Sequence, residues 1–287
     1  MTDRIINHDV RVVNGKTLYL PPFIDNQEGW ANLKLPDLSL ADTVQQYPIG
    51  TRFVDGDNAY RYAKAVGTTR QDLLCSFQSK QAVGYCTIAA NALQYASRVV
   101  IDVAATDGVS GDGAIVADEL AGGYILIFDA TSSGGAPQVL LVKSNTVTTG
   151  AGEMTIDFDG KLQNALVADT DHAEVIASPY SRVSNVSAKN NEYAKVGRPT
   201  VIATSGQWLW LQTWGVCFLS PQTDVGVNSG GSGAGNNYAI VARHDGSLDT
   251  LLYSDVTHDQ GQIVGSVLAC GADGAQGAPF VYLRIAH

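Results

Sequence analysis

The chain has 287 residues, enough for one large all-β domain or two smaller ones, and 45% of them are hydrophobic while only 16% are charged. The net charge is −10 and no run of lysine or arginine occurs. The chain therefore lacks the basic footprint of a nucleic-acid binder, and an anionic membrane surface would repel it. We expect neither nucleic acid nor a membrane as a partner.

The first residues, MTDRIINHDV, contain no apolar stretch that resembles a secretory leader. The four cysteines are far apart and form no C-x-x-C pair, which predicts buried thiols and synthesis in a reducing cytoplasm. We expect no dependence on disulfides.

Residues 1–46 are predicted to form an extended N-terminal arm that carries a β-hairpin. Asn14-Gly15 lies between two short alternating runs, which is a strong hairpin signal. The rest of the arm is interrupted by prolines and has no period, so its apolar residues must pack on its own β-domain or on another subunit. We expect contact with an adjacent subunit, and the predicted anchors are Trp30, Leu33, Leu35, Leu38 and Leu40.

A second hairpin is predicted in TRFVDGDNAYRYAKAV, around the turn at residues 55–58. The next stretch, residues 68–81, is predicted to be a short helix capped by a threonine. From Ser97 onwards short apolar runs alternate with Gly, Asp, Ser and Asn turns, and PTVIAT and QWLWLQTWG are two of these runs. The pattern predicts an all-β fold, a barrel or sandwich. After the arm we expect a β-rich domain at 47–180 and a second β-rich unit at 181–287, or one continuous domain.

Trp208, Trp210 and Trp214 lie in QWLWLQTWG. Their spacing predicts that all three share one face of a strand. The opposite face carries Leu209, Leu211 and Thr213. Because both faces are largely apolar, we interpret the tryptophans as structural residues of a core or a subunit interface rather than as a glycan platform.

No motif with a catalytic or metal-binding spacing is present. Three histidines adjoin aspartates, but neighbouring residues of a strand face opposite sides, and His and Asp are common in turns. DGDNA and DFDGK do not complete a calcium loop, and GGSGAGNN has no following helix that could bind phosphate. We predict no catalytic residue, no cofactor, no metal and no enzymatic activity.

Three segments, YPIGTRFVDGDNAYRYAKA, ADELAGGYILIFDA and WLWLQTWG, resemble a family of virion structural proteins of tailed bacteriophages. The resemblance spans residues 47–287 and leaves the arm outside it. It implies a capsid decoration, or cement, protein that binds the major capsid protein on the head exterior as a homotrimer. It brings no catalytic residues.

Two other functions fit the same sequence. A receptor-binding or tail-fibre module would use surface aromatics to bind host glycans. A glycan hydrolase would use two carboxylates, and any of the 28 acidic residues could supply them.

Overall fold

The computed structural model describes residues 10–21, 34–78, 82–108, 110–130, 136–185, 194–221, 239–250, 262–269 and 280–287. These residues form strands, turns and irregular segments without a helix, so the predicted all-β class is confirmed. The predicted anchors Trp30 and Leu33 lie outside the described residues.

The chain divides into two compact units. One, called here the insert unit, contains Ser79–Pro179. The other, called the main unit, contains residues 10–20, 34–78 and the described part of Tyr180–His287. The insert unit thus interrupts the sequence of the main unit.

The main unit contains a twelve-stranded sheet. The strands before the insertion are β1 (Val10–Val13), β2 (Lys16–Tyr19), β3 (Arg52–Asp55), β4 (Asn58–Lys64) and β5 (Cys75–Phe77). Those after it are β14 (Val183–Ser184), β15 (Lys195–Pro199), β16 (Trp208–Phe218), β17 (Ala239–Ala242), β18 (Leu248–Thr250), β19 (Gln262–Ala269) and β20 (Phe280–Arg284). The principal order is β1-β2-β3-β4-β16-β20-β19-β17-β18, while β15 joins β16 to β5 and β5 pairs with β14.

Both predicted hairpins form. Asn14 and Gly15 have φ angles of 51° and 76°, as a two-residue type I′ turn requires. In the second hairpin Asp55 pairs with Asn58 around Gly56, whose φ is 58°. Since β2 pairs with β3, the two hairpins form four neighbouring strands at one end of the sheet, with β1 as the edge strand.

The insert unit contains a six-stranded antiparallel sheet in the order β6-β13-β9-β10-β12-β7. Its strands are β6 (Val83–Thr87), β7 (Arg98–Val103), β9 (Tyr124–Phe128), β10 (Gln138–Asn145), β12 (Gly152–Asp159) and β13 (His172–Ile176). Two further short strands, β8 (Ala114–Ile115) and β11 (Thr148–Thr149), pair with each other.

The six-stranded sheet curls around an aliphatic interior. Ile88, just after β6, forms a bridge with Ile101 of β7, so the two edge strands approach each other. Along β12 the residues Met154, Ile156 and Phe158 are buried and alternate with more exposed positions. This period-two burial is the physical cause of the alternating apolar pattern of β12 in the sequence.

Two predicted elements differ from the structure. The predicted helix at 68–81 is wrong, because Leu74 bonds the carbonyl of Gly246 and the next three residues form β5. The strand predicted in PTVIAT does not form, since β15 ends at Pro199. At residues 75–77 tertiary strand pairing overrides the local helical propensity.

Residues 47–78 belong to the same unit as the C-terminal part of the chain, which begins at Tyr180. The reason is that β4 pairs with β16, more than a hundred residues later. Such long-range pairing leaves no local sign in the sequence.

Candidate interaction surfaces

Trp210 lies in an aromatic core of the main unit. Its side chain is 1% exposed, and its ring centroid is 5.1 Å from those of Tyr47 and Tyr62. The Tyr62 hydroxyl donates to a carboxylate oxygen of Asp42 at 2.6 Å, and burial raises the pKa of this tyrosine. Trp210 is therefore a packing residue with no surface for a ligand.

The three tryptophans do not share one face of β16. Trp208 and Trp210 pair with Lys64 and Tyr62, but a register shift after Gln212 places Trp214 opposite Ala59. Paired residues share a face, so this β-bulge turns Trp214 to the face opposite Trp210. The prediction from strict alternation is corrected here, because a bulge breaks the period of two.

The bulge leads into a close approach between two strands. Gly215 has a φ of 100°, and a Cβ at this position would lie 2.8 Å from the carbonyl oxygen of Asp57. A glycine is required there by both backbone conformation and space.

Trp214 belongs to a surface of basic and aromatic side chains on the main sheet. Its indole nitrogen donates to the Tyr282 hydroxyl at 3.0 Å, and its ring lies 5.1 Å from that of His287. Arg52 reaches the same histidine, with 2.9 Å between its Nη2 and the ring Nδ1. Arg284 pairs with Trp214 across the sheet.

Two more contacts extend this surface along β2 and β4. Arg52 lies 4.9 Å above the Tyr19 ring, and Arg61 pairs with Arg52 across β3 and β4. The set, called here the arginine–aromatic surface, consists of Tyr19, Arg52, Arg61, Trp214, Tyr282, Arg284 and His287. The sequence did not predict the arginine–aromatic surface, because its members come from five separate segments. The one sequence feature that indicates it is the alternation of arginines with aromatic residues in RFVDGDNAYRY.

The insert unit presents an apolar surface on the outside of its sheet. Leu126 pairs with Val139 on β10, and Tyr124 pairs with Leu141 on β10 and Ile176 on β13. These side chains face away from the filled interior, and Val139 is 64% exposed. The set, called here the insert apolar face, consists of Tyr85, Tyr124, Leu126, Phe128, Val139, Leu141 and Ile176. One charged residue, Glu174 of β13, lies on the same side of the sheet opposite Leu126.

Tyr85 is the most exposed aromatic of this face. Its ring stacks on His172 with centroids 4.4 Å apart and lies 5.4 Å from the Phe128 ring. Thr87, two residues further along β6, donates its hydroxyl to Asp102. Exposed aromatic rings beside polar groups can bind a protein or a sugar.

The described anchors of the arm have different environments. Leu38 packs against the core cluster of Trp210, whereas Leu35 and Leu40 are exposed. Leu18 and Leu20, from the hairpin, are buried in the same cluster. Leu18, Leu20 and Leu38 therefore contribute to the core of their own unit, and the expected contact of the arm with an adjacent subunit stays a prediction.

A buried lysine lies beside a serine in the main unit. The Lys195 ammonium donates to the Ser76 hydroxyl at 2.8 Å and to the carbonyl of His244 at 2.7 Å. Burial lowers the pKa of Lys195 to about 8. A serine beside a lysine of lowered pKa can act as a nucleophile, but Ser76 is fully buried and gives a substrate no access. We assign the pair a structural role.

The described cysteines are protonated thiols at neutral pH. Burial raises the pKa of all three thiols. The pKa of Cys86 rises to about 12 and that of Cys217 to about 11. Among the described residues no group of three or more His, Cys, Asp or Glu side chains could hold a metal ion. His8, His258 and Cys270 lie outside the described residues.

Comparison of the chain with protein-family models, with curated proteins and with solved structures finds no match. In the part of the chain that the structure describes, no helix is long and apolar enough to cross a membrane.

Proposed function

We propose that the chain is a structural virion protein of a tailed bacteriophage. In this proposal it is a capsid decoration protein that binds the exterior of the major capsid protein as a homotrimer. It is made in the host cytoplasm and resides on the outside of the virion. Its role is to stabilise the head by binding, without catalysis.

The observation that carries the proposal is the insert apolar face. The interior of the insert sheet is filled by buried apolar side chains of the opposite face, and the outer residues are not part of it. Contiguous exposed apolar side chains on a sheet mark a surface for another protein. An assembly protein needs such a surface, and the resemblance of residues 47–65, 117–130 and 208–215 to virion proteins supports the virion as that assembly.

Two further features agree with a position on the head exterior. The net charge of −10 disfavours contact with packaged DNA and suits the solvent side of a shell. Leu35 and Leu40 of the arm are exposed and available to a neighbouring chain, as the predicted role of the arm as a tether requires.

The decisive experiment is binding to capsids of the phage that encodes the chain. Capsids that lack the protein are mixed with purified protein, and the bound fraction is measured by co-sedimentation. We expect saturable binding and density on the head exterior by electron cryomicroscopy. Absence of binding, or density confined to the tail, would refute the decoration role.

A matched pair of variants tests the surface itself. Val139→Lys places a charge in the insert apolar face, whereas Val147→Lys places it at a valine of the same unit that is also exposed, at 57%, but lies outside this face. We expect Val139→Lys to weaken capsid binding at least about tenfold, which corresponds to about 1.4 kcal/mol, and Val147→Lys to leave it unchanged. Equal effects would remove the insert apolar face from the proposal.

A receptor-binding module is the second candidate, favoured by the exposed Tyr85 ring stacked on His172. A glycan array and titration with soluble oligosaccharides test it. Glycan binding that Tyr85→Ala abolishes would favour this candidate over decoration.

A further inference from the structure

Negative charge is concentrated in one unit. Residues 79–179 hold twelve acidic and four basic side chains, so they carry eight of the ten excess negative charges of the chain. The rest of the chain is almost neutral. The units thus have different electrostatic characters, although they belong to one polypeptide.

Acidic side chains line the outside of two neighbouring strands of the insert unit. Asp102 of β7 pairs directly with Glu153 of β12, and Asp157 and Asp159 follow Glu153 on the same face. Like charges directly opposite each other destabilise a sheet. Arg98 binds Asp157 at 2.7 Å and lowers the pKa of that carboxyl, while Glu153 and Asp159 remain exposed. We call Asp102, Glu153, Asp157 and Asp159 the acidic surface.

The main unit has the opposite arrangement. Arg52 and Arg61 pair directly across β3 and β4, and Arg284 is exposed on the same face beside Trp214. The Nη2 of Arg52 lies 2.9 Å from Nδ1 of His287. The Nε of Arg52 is buried and has no hydrogen-bond partner among the described residues. Arginine, tryptophan and tyrosine are the side chains that contribute most to protein interfaces, and a guanidinium binds carboxylates with two parallel bonds.

We propose that the arginine–aromatic surface of one copy binds the acidic surface of a second copy. Each surface carries a like-charged cross-strand pair that is unfavourable in its own sheet, and the contact places opposite charges against each other. Nucleic acid is the less suitable occupant, because it would be repelled by a chain of charge −10.

The geometry of this contact determines the type of assembly. Two different surfaces meet, so repetition of the contact from copy to copy closes a ring when the rotation between copies permits it. If two copies make the contact twice, each surface against the other's counterpart, the assembly is instead a dimer. The inference rests on the self-association in the proposed function and supplies its chemistry.

Light scattering coupled to size exclusion tests the contact on the full chain. We expect the unaltered protein to form an oligomer whose mass falls towards that of a monomer between about 0.05 and 1 M salt, because salt screens exposed charges. Arg284→Glu and Glu153→Arg should each weaken association at least about tenfold. The control Arg70→Glu makes the same charge change at an exposed arginine that pairs locally with Asp72, and it should associate like the unaltered protein.

Mixing the two variants tests whether the two surfaces bind each other. In an equimolar mixture, the acidic surface of the Arg284→Glu copy and the arginine–aromatic surface of the Glu153→Arg copy are both intact. We expect a mixed dimer, although neither variant associates alone. No mixed dimer, full association of Glu153→Arg alone, or a salt-independent oligomer would overturn the inference. Capsid binding is measured by co-sedimentation and self-association by light scattering. A failure of the decoration role is therefore distinguished from a failure of this contact.

Discussion

The two units use the same kind of sheet but fill it differently. The main unit packs Trp210, Tyr62 and Phe53 in an aromatic cluster, whereas the interior of the insert sheet is mostly aliphatic, with Phe158 as its one fully buried aromatic among the described residues. In the main unit, strands that precede residues 79–179 in the sequence pair with strands that follow them. In the insert unit, every strand of the six-stranded sheet lies within residues 83–176. The insert unit can therefore complete its core from a continuous segment, which the main unit cannot do.

The largest expected effect concerns the aromatic cluster. Trp210→Ala should lower the free energy of unfolding of the main unit by about 3 to 5 kcal/mol, because it leaves a large cavity beside Tyr47 and Tyr62. Urea unfolding followed by tryptophan fluorescence measures this, since residues 79–179 contain no tryptophan. The insert transition, followed by circular dichroism, should not move.

Trp214→Ala is the matched control on the same strand. Its side chain is only partly buried and contacts Tyr282 and His287, so we expect a loss of about 1 to 2 kcal/mol. Equal losses for the two variants would contradict the different environments assigned to the two tryptophans.

A smaller effect is expected from Lys195, and it depends on pH. Its pKa is about 8 in the folded state, below the ordinary 10.5. Below pH 8 both states hold the proton and the full cost of burying the ammonium is present. Between pH 8 and 10.5 the unfolded state binds more protons, so this contribution to stability rises with pH. The gain should be on the order of 2 kcal/mol.

Comparison with Lys195→Met isolates this contribution. The pKa of Tyr47 is raised to about 12, and those of the buried thiols are raised as well. Both proteins therefore become less stable above pH 9 to 10, so the informative quantity is the difference between their free energies of unfolding. The unaltered protein should gain stability relative to Lys195→Met from pH 7 to pH 10. A difference that stays constant or falls would show that Lys195 does not have a lowered pKa.

The smallest effect is expected from excision of the insert unit. Phe77 of β5 pairs with Val183 of β14, so the chain leaves and re-enters the main unit at neighbouring antiparallel strands. Replacing residues 79–179 by a short Gly/Ser linker should shift the fluorescence-detected unfolding of the main unit by less than about 1 kcal/mol.

The excised segment should fold independently. Residues 79–179 expressed alone should give a cooperative thermal transition and a β-type circular dichroism spectrum. A main unit that aggregates after excision, or a segment that stays unfolded, would show that the two units depend on each other.

The sequence indicated most strands, since alternation of buried and exposed positions, as in residues 152–159, has a direct physical cause. The turns were equally readable, because Asn14-Gly15 fits a type I′ turn that few other pairs can adopt. The face of Trp214 could not be predicted, because a bulge between Gln212 and Trp214 has no clear sequence signal. The short strand at Cys75–Phe77 was hidden for a similar reason, since its partners are more than a hundred residues away.

The sequence by itself therefore determined the all-β class, both hairpins and the excess of negative charge, which follow from local conformational preference and composition. Only the tertiary structure decided that residues 79–179 interrupt the main unit, that Arg52, Arg61 and Arg284 lie on one sheet face, and that residues 10–20 complete the core beside Trp210. These features depend on pairing between distant strands. Such pairing is selected by the total burial of apolar surface and not by any short segment.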